Sequence, residues 1–491
     1  MTRLTRFTQL FAALALLAAP CGMQAQTTKG LTETDPAFYK TEEARRIGDQ
    51  VLIYQRCTGG WPKNIDMSRR LTDKELAQVM ADKARTNDST TDNDATTTQM
   101  TYLARLWDAT RDARYREGFN KGVEYLLGGQ YENGGWPQFW PGMVGYQVLI
   151  TYNDDAMTST LNLFNDIIHD NAPYPAGLVD DEVKDKLQAS FDKGVECILA
   201  TQIMVKGKPT VWCQQNDPVT LKPAGARAFE LPSFCSAESV PIIKLLMELP
   251  NPDKRVKAAV HGAMKWLDSH KLTGFRVERS TNEYGERNTR LVEDPSAPAI
   301  WARFYDLELG EPFVCDRDGI MRRHLEQIGR ERRSGYSWYN YRPAELYPLY
   351  EEWAAKYDPR HKVKISLETK GANETGAIEM FRKPVLNPKD YDVVVKPGES
   401  IQAALDKAPA NGTEPFKILV LKGEYRQTLN IDKPGVILVG EDRDGTVIAL
   451  SEADLKPGEK EPGTIISLGA GASDCIISGF TVRNEFDATP T

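Results

Sequence analysis

The sequence predicts a mainly α chain: an α/α toroid followed by an incomplete right-handed parallel β-helix. Three observations carry this. Apolar residues recur at helical spacing over residues 40–355. Two motifs occur twice: Gln55-x-x-x-Gly59-Gly60-Trp61-Pro62 returns as Gln130-x-x-x-Gly134-Gly135-Trp136-Pro137, and Asp92-Asn93-Asp94-Ala95 returns as Asn153-Asp154-Asp155-Ala156. Beyond Pro359–Lys389 the pattern changes to short β-branched runs at even spacing.

Taken in order, residues 1–25 read as an export signal. Arg3 and Arg6 precede an apolar run from Leu10 to Ala19, then small residues with a cut after Ala25. Export to the periplasm, the cell surface or the medium is expected. No later segment has the length and apolarity of a membrane span. Residues 26–357 form the expected toroid, with helices over Ala95–Thr110, Tyr115–Leu127 and Val183–Ile203. Each Gly-Gly-Trp-Pro follows a helix, where the glycines take positive φ and proline blocks continuation. Each Asp/Asn cluster then precedes another helix. This alternation describes antiparallel helical hairpins whose loops gather at one rim.

Residues 358–390 read as a linker rich in charge, Gly and Pro. Within residues 391–491, strands are expected at Asp392–Val395, Lys417–Leu421, Val436–Val439, Thr446–Leu450, Thr464–Leu468 and Cys475–Val482. Successive short strands of this kind suggest β-helix rungs. Few rungs precede Thr491, so the β-helix is expected to be cut short.

Composition excludes several classes. The formal charge of −8 disfavours nucleic acid as a partner. The seven cysteines include no C-x-x-C pair, which disfavours a zinc site and a dense disulfide framework. The five histidines lie outside any nucleophile motif, which argues against a hydrolase triad.

Asp92, Asn93, Asp94, Asp154 and Asp155 are oxygen donors at loop-to-helix junctions. Hard cations take several such ligands, whereas a single cluster would be an ordinary helix N-cap. Duplication favours the cation. The Gly and terminal Glu of an EF-hand loop are missing. A second constellation runs from Gln214-Gln215 to Pro223-Ala224-Gly225-Ala226-Arg227 and Glu230, in which a constrained loop holds Arg227 for chemistry or for a salt bridge with Glu230. Between Leu272 and Ala355 there is no Lys and many Arg, the side chain suited to carboxylates. Arg303, in Trp301-Ala302-Arg303-Phe304-Tyr305, and Arg317, in Cys315-Asp316-Arg317-Asp318-Gly319, have the most suggestive surroundings. The aromatic run Tyr336–Tyr341 either lines a sugar groove or belongs to the core.

Five segments in order resemble the family 10 pectate lyases: Gly59-Gly60-Trp61-Pro62-Lys63, Thr91–Gln99, Gly134-Gly135-Trp136-Pro137-Gln138, Tyr152–Met157 and Pro223–Arg227. The resemblance implies an α/α toroid and calcium-dependent β-elimination on polygalacturonate, yielding 4,5-unsaturated ends. It places Ca2+ at Asp92, Asn93 and Asp154, Arg227 as the base, and Arg303 and Arg317 on substrate carboxylates. The tail, Val394–Ala404 with Gly423-Glu424-Tyr425 and Leu438-Val439-Gly440-Glu441, resembles the opening of a pectin methylesterase. Its Gln427 departs from the Glu usual there, and an active esterase is not expected.

Two other functions fit the same residues. A glycoside hydrolase on the toroid would use two of the repeated carboxylates as acid and base, without calcium. A non-catalytic protein would hold an acidic polysaccharide on its arginines and aromatics. Oligomeric state is not legible from these residues.

Overall fold

The computed structural model describes residues 30–142, 144–282, 285–361, 365–367, 386–412, 415–442, 445–458, 460–473 and 475–486. The expected export signal and most of the expected linker lie outside them. The chain divides into two compact units, Met1–Phe381 and Arg382–Thr491. Among the described residues no helix is long and apolar enough to cross a membrane.

The first unit is built on helices α1 (Glu42–Tyr54), α2 (Asp73–Asp82), α3 (Thr97–Thr110), α4 (Ala113–Gly129), α5 (Ala156–Ile168), α6 (Asp181–Thr201), α7 (Ser236–Glu248), α8 (Lys254–Ser269), the short α9 (Arg330–Ser334) and α10 (Leu346–Tyr357). Their starts are chemically marked. Thr72 and Glu75 make a reciprocal capping box on α2, and Asp253 accepts from the Val256 amide at the head of α8 at 2.8 Å. Helix α3 packs on α4, α5 on α6 and α7 on α8, each as an antiparallel hairpin. The first members line up, α3 against α5 and α5 against α7, with α10 against α7. Gly118 and Gly122 of α4 let Leu52, Leu103 and Met100 approach its backbone. Trp61, Tyr102, Leu103, Phe119, Phe164, Trp212 and Trp301 fill the shared core. Burying side chains of this size contributes about 1.5–3 kcal/mol each relative to exposure.

The duplicated Gly-Trp turn proves to be part of a longer series. Trp61 donates from Nε1 to the Val51 carbonyl at 2.8 Å, and Trp136 to Leu126 at 2.7 Å. Trp212 does the same to Ile198 at 2.7 Å and Trp301 to Leu267 at 2.8 Å. Each indole ties its loop to the end of the helix before it. Glutamine is repeated alongside. Gln55 donates to the carbonyls of Gly59 and Gly118, Gln130 to those of Gly134 and Ser190, and Gln202 to those of Thr210 and Ala259. These amides join each helix end to its own turn and to the next hairpin. At Gly59 and Gly134, φ is +94° and +90°, and an added Cβ would collide with the carbonyls of Lys121 and Lys193. Only glycine suits both demands.

One departure from the helical expectation is an antiparallel hairpin, Phe275–Thr281 with Arg287–Glu293. Most of its residues are exposed or half-buried, so its alternation of apolar and polar residues is weak and the strands are hard to read from sequence.

The second unit consists of parallel ladders. Val393–Val395, Phe416–Val420, Val436–Gly440 and Ile476–Ser478 stack in one sheet, and Gly423–Arg426, Thr446–Leu450 and Thr481–Asn484 in a second. Leu429–Ile431 pairs with Ile466–Leu468 in a third. Ile418, Val420, Tyr425, Leu429, Leu438 and Ile448 form its core. Gly423–Arg426 and Leu429–Ile431 were not among the expected strands. The first buries only Tyr425 and the second is three residues long, too little to register as a β pattern.

Candidate active site

The Trp series also sets where the acids fall. The Trp61 carbonyl accepts from the Thr90 amide at 3.1 Å, Trp136 from Thr151 at 3.0 Å, and Trp212 from Cys235 at 2.8 Å. Three residues further along the chain stand Asn93, Asp154 and Glu238. In successive hairpins these are equivalent places at the head of a first-row helix, α3, α5 or α7. The turns Asp92–Asp94 and Asn153–Asp155 pack on one another, and the second also packs on α7.

The Asp/Asn clusters are not simple caps. Asn93, Asp94, Asp154 and Asp155 take φ of +53°, +57°, +48° and +61°, and neither α3 nor α5 receives a side-chain cap. Asn and Asp tolerate this left-handed region better than other side chains with a Cβ. The strained turns aim the acids at each other instead of along their helices.

Asp92 is buried, and both residues that follow the twin prolines converge on its Oδ2: Gln138 donates at 2.9 Å and the Lys63 ammonium forms an ion pair. Its Oδ1 is buried with no hydrogen-bond partner among the described residues. Asp154 accepts from Asn153 Nδ2 at 2.8 Å. Burial pushes the Asp154 carboxyl up to about 6, with the Asp92 carboxylate adding to the rise and Arg303 opposing it. Burial, with Asp155 and Asp92, also raises Asp94. Asn93 donates its amide to Asn64 Oδ1 at 3.3 Å.

Arg303 continues the network. It donates to Asn153 Oδ1 at 3.1 Å and to Glu238 Oε1 from Nε at 2.7 Å. Glu238 Oε2 is buried without a hydrogen-bond partner among the described residues. Arg342 grips Asp155 with two bonds, 2.8 and 3.3 Å. Thus a line of polar side chains runs from Lys63 and Asp92 through Asp154 and Asn153 to Arg303 and Glu238.

Beside it lies a patch of guanidinium groups around two rings. Arg227 lies 4.9 Å from the centre of the Phe229 ring, Arg332 4.1 Å and Arg317 5.9 Å. Arg303 lies 4.6 Å from the Tyr336 ring. Arg227 is bound to Glu230, with Nε donating to Oε2 at 2.7 Å, and the Tyr336 hydroxyl donates to Oε1 at 2.7 Å. Arg317 is exposed and paired with Glu331 at 3.1 Å.

The structure therefore gathers Asp92, Asn93, Asp154 and Arg303 in one place, sets Arg227 in the adjoining patch, and leaves Arg317 at its outer edge. Glu238, Arg332 and Arg342 were missed as candidate residues. A sequence signal existed for Glu238: Gln202 and Trp212 repeat the Gln and Trp of the earlier turns without their Gly-Gly-Trp-Pro. Arg332 is buried, its Nε has no hydrogen-bond partner among the described residues, and burial lowers its guanidinium below the usual arginine value. It was one arginine among many in the sequence. The cysteines among the described residues are free thiols.

Comparison with known proteins matches residues 55–347 to the pectic acid lyase family. A point mutant of a family 10 polysaccharide lyase from Cellvibrio cellulosa, solved in complex with trigalacturonic acid, is similar with a TM-score of 0.56 and 29% identity. The match covers 66% of this chain and 96% of that one. The family 10 polysaccharide lyase of the same organism without the mutation gives a TM-score of 0.55 at 29% identity, covering 66% and 94%. Pectinesterase A of Dickeya chrysanthemi and that of Dickeya dadantii (strain 3937) are each 38% identical over 93 residues, or 18% of this chain. The chain spans about a quarter of the length of these curated relatives, 25% in each.

Proposed function

The chain belongs to the pectic acid lyase family, and from the residues its loops assemble we propose that it cleaves polygalacturonate by calcium-dependent β-elimination. One observation carries the reading: two carboxylates, Asp92 and Asp154, are forced together beside a patch of arginines. Buried like charges repel, and a divalent cation between them removes the repulsion.

Asp92, Asn93 and Asp154 are the proposed ligands. The donor set fits a hard cation, since all offer oxygen and Asp92 Oδ1 is buried with no hydrogen-bond partner among the described residues. Bound calcium would supply positive charge to a galacturonate carboxylate and so acidify the neighbouring C5 proton. Arg303 and Arg317, joined by Arg332, are proposed to hold further carboxylates of the chain, with the guanidinium fork matching each carboxylate plane.

Arg227 is the proposed base. It takes the C5 proton, the C5–H electron pair becomes the C4–C5 double bond, the C4–O bond breaks with its electron pair going to the oxygen, and that oxygen takes a proton from water. While Glu230 accepts from both arms of Arg227, the guanidinium stays charged. The reaction therefore requires Arg227 to leave Glu230 and lose a proton, which alkaline solution favours.

We further propose that the paired helices close into an α/α toroid, that the parallel ladders coil as a right-handed β-helix related to pectinesterases, and that the protein is exported. A polymeric substrate such as polygalacturonate is met outside the cell, which suits export.

The test is incubation with polygalacturonate, with calcium or with chelator, following ultraviolet absorbance of an unsaturated product together with reducing ends. Absorbance should rise with calcium and stop with chelator. Reducing ends without absorbance would show a hydrolase, and neither signal with retained binding would show a binding protein.

A further inference from the structure

A second constellation lies in the first unit among residues that the lyase site does not use. His261 is buried on α8, Asp358 caps the end of α10, and His361 follows it. Their ligand-capable atoms all lie within 4.8 Å of one another. The two imidazoles stack with ring centres 3.5 Å apart and an interplanar angle of 15°. His261 Nε2 is 3.3 Å from Asp358 Oδ2. Its other nitrogen, Nδ1, is 2.7 Å from the Tyr350 hydroxyl.

We infer that His261, Asp358 and His361 bind a transition-metal ion of the Zn2+ class, separate from the proposed calcium site. Two imidazoles and one carboxylate suit Zn2+ and its neighbours, whereas calcium takes oxygen ligands almost alone. Tyr350 fixes the ring of His261 and leaves Nε2 as the ligating atom, the outer partner that metal-bound histidines generally have. His261 belongs to a packed helix and Asp358 to a helix end whose amide donates a hydrogen bond to the Ala354 carbonyl at 2.9 Å, so two ligands are preset.

The third ligand is adjustable. A ring nitrogen ligates in the plane of its own ring, so two stacked imidazoles reach one ion only when one of them turns. His361 is exposed and outside any helix, and a turn of its side chain brings it in. Its amide already donates to the Asp358 carbonyl at 3.0 Å. Lys257, one turn before His261 on α8, is the nearby cation that opposes the ion. Three protein ligands leave a position for water. The ion would join the chain leaving α10 to the flank of α8.

The experiment uses the full, untagged chain saturated with calcium and adds Zn2+ alone, then Co2+ as an optical probe. One Zn2+ per chain should bind, Co2+ should give the visible absorption of a tetrahedral His-rich site, and Zn2+ should raise the melting temperature. His361→Ala and Asp358→Asn should each weaken Zn2+ binding at least tenfold and abolish the melting shift. Calcium-dependent activity in His361→Ala should be unchanged. Zn2+ binding of equal strength in both variants, or no Zn2+ bound by the wild type at 100-fold excess, would overturn the assignment. Because His361 is exposed, its variant keeps the test valid even where a change at buried His261 prevents folding.

Discussion

Arg227 and Glu230 meet as a two-pronged ion pair, with Nε to Oε2 at 2.7 Å and a second contact from the outer nitrogen to Oε1. Burial disfavours the charge on Arg227, but the Glu230 carboxylate outweighs it and holds the guanidinium proton more tightly than in an ordinary arginine. Glu230→Gln removes that hold. With Arg227 as the base, the rate in the variant should rise at lower pH than in wild type, moving the ascending limb of kcat/KM to lower pH. A limb that stays in place would count against Arg227.

The same pair predicts acid behaviour. Burial raises the Glu230 carboxyl, but Arg227 overcomes this and leaves it below its ordinary 4.5. A depressed carboxyl stabilises the fold above the unfolded value and ceases to do so as pH falls through the folded one. Wild type should therefore exceed Glu230→Gln by about 1–2 kcal/mol at pH 7, the range for a charged hydrogen bond discounted for the exposure of Arg227. The gap should close below pH 4.5 in urea titrations.

Glu238 and Arg303 bury opposite charges, with side chains 3% and 12% exposed. Removing one partner strands the other. Glu238→Gln should destabilise by about 3–5 kcal/mol, and adding Arg303→Met should recover part of that loss. Chemical denaturation of the single and double variants checks this, and additive losses would contradict it.

Arg332 lies 4.1 Å from the Phe229 ring in the guanidinium patch. If it holds a substrate carboxylate, Arg332→Ala should raise KM about tenfold, or about 1.4 kcal/mol, with kcat nearly unchanged. Arg332→Lys should recover only part, having lost the planar fork. An unchanged KM would assign Arg332 to packing alone.

Gly134 and Gly207 both have positive φ, but an added Cβ at Gly134 strikes the Lys193 carbonyl while at Gly207 it meets nothing within 4 Å. Gly207→Ala should cost about 1–2 kcal/mol from the backbone alone. Gly134→Ala should cost more, because α6 must shift as well. Melting temperatures of the two variants provide the comparison.

Much of the frame was readable because it depends on short-range chemistry. Ala95–Thr110 and Val183–Ile203 were expected as helices, and Thr97–Thr110 and Asp181–Thr201 are found. The turns at Gly59 and Gly134 announced themselves by composition. The third turn kept only Gln202 and Trp212, and the fourth only Trp301, so their kinship emerges from hydrogen bonds to Ile198 and Leu267 rather than from spelling. The hairpin at Phe275–Glu293 and the strand at Gly423–Arg426 were missed because few of their residues are buried, and burial is what writes a period into a sequence.

By itself the sequence determined which residues could do chemistry: the duplicated acids, Arg227 in a loop constrained by Pro223 and Gly225, and an arginine-rich region. Tertiary structure alone decided which of them meet. Asp92 and Asp154 are 62 positions apart in the chain, and Glu238 is further still from Asp92. They converge because the carbonyls of Trp61, Trp136 and Trp212 accept from the segments leading into α3, α5 and α7, repeating one geometry in successive hairpins. The left-handed turns then aim the carboxylates at one another. Local propensity encodes each turn, but charge repulsion and burial at the rim arise only when the hairpins pack side by side.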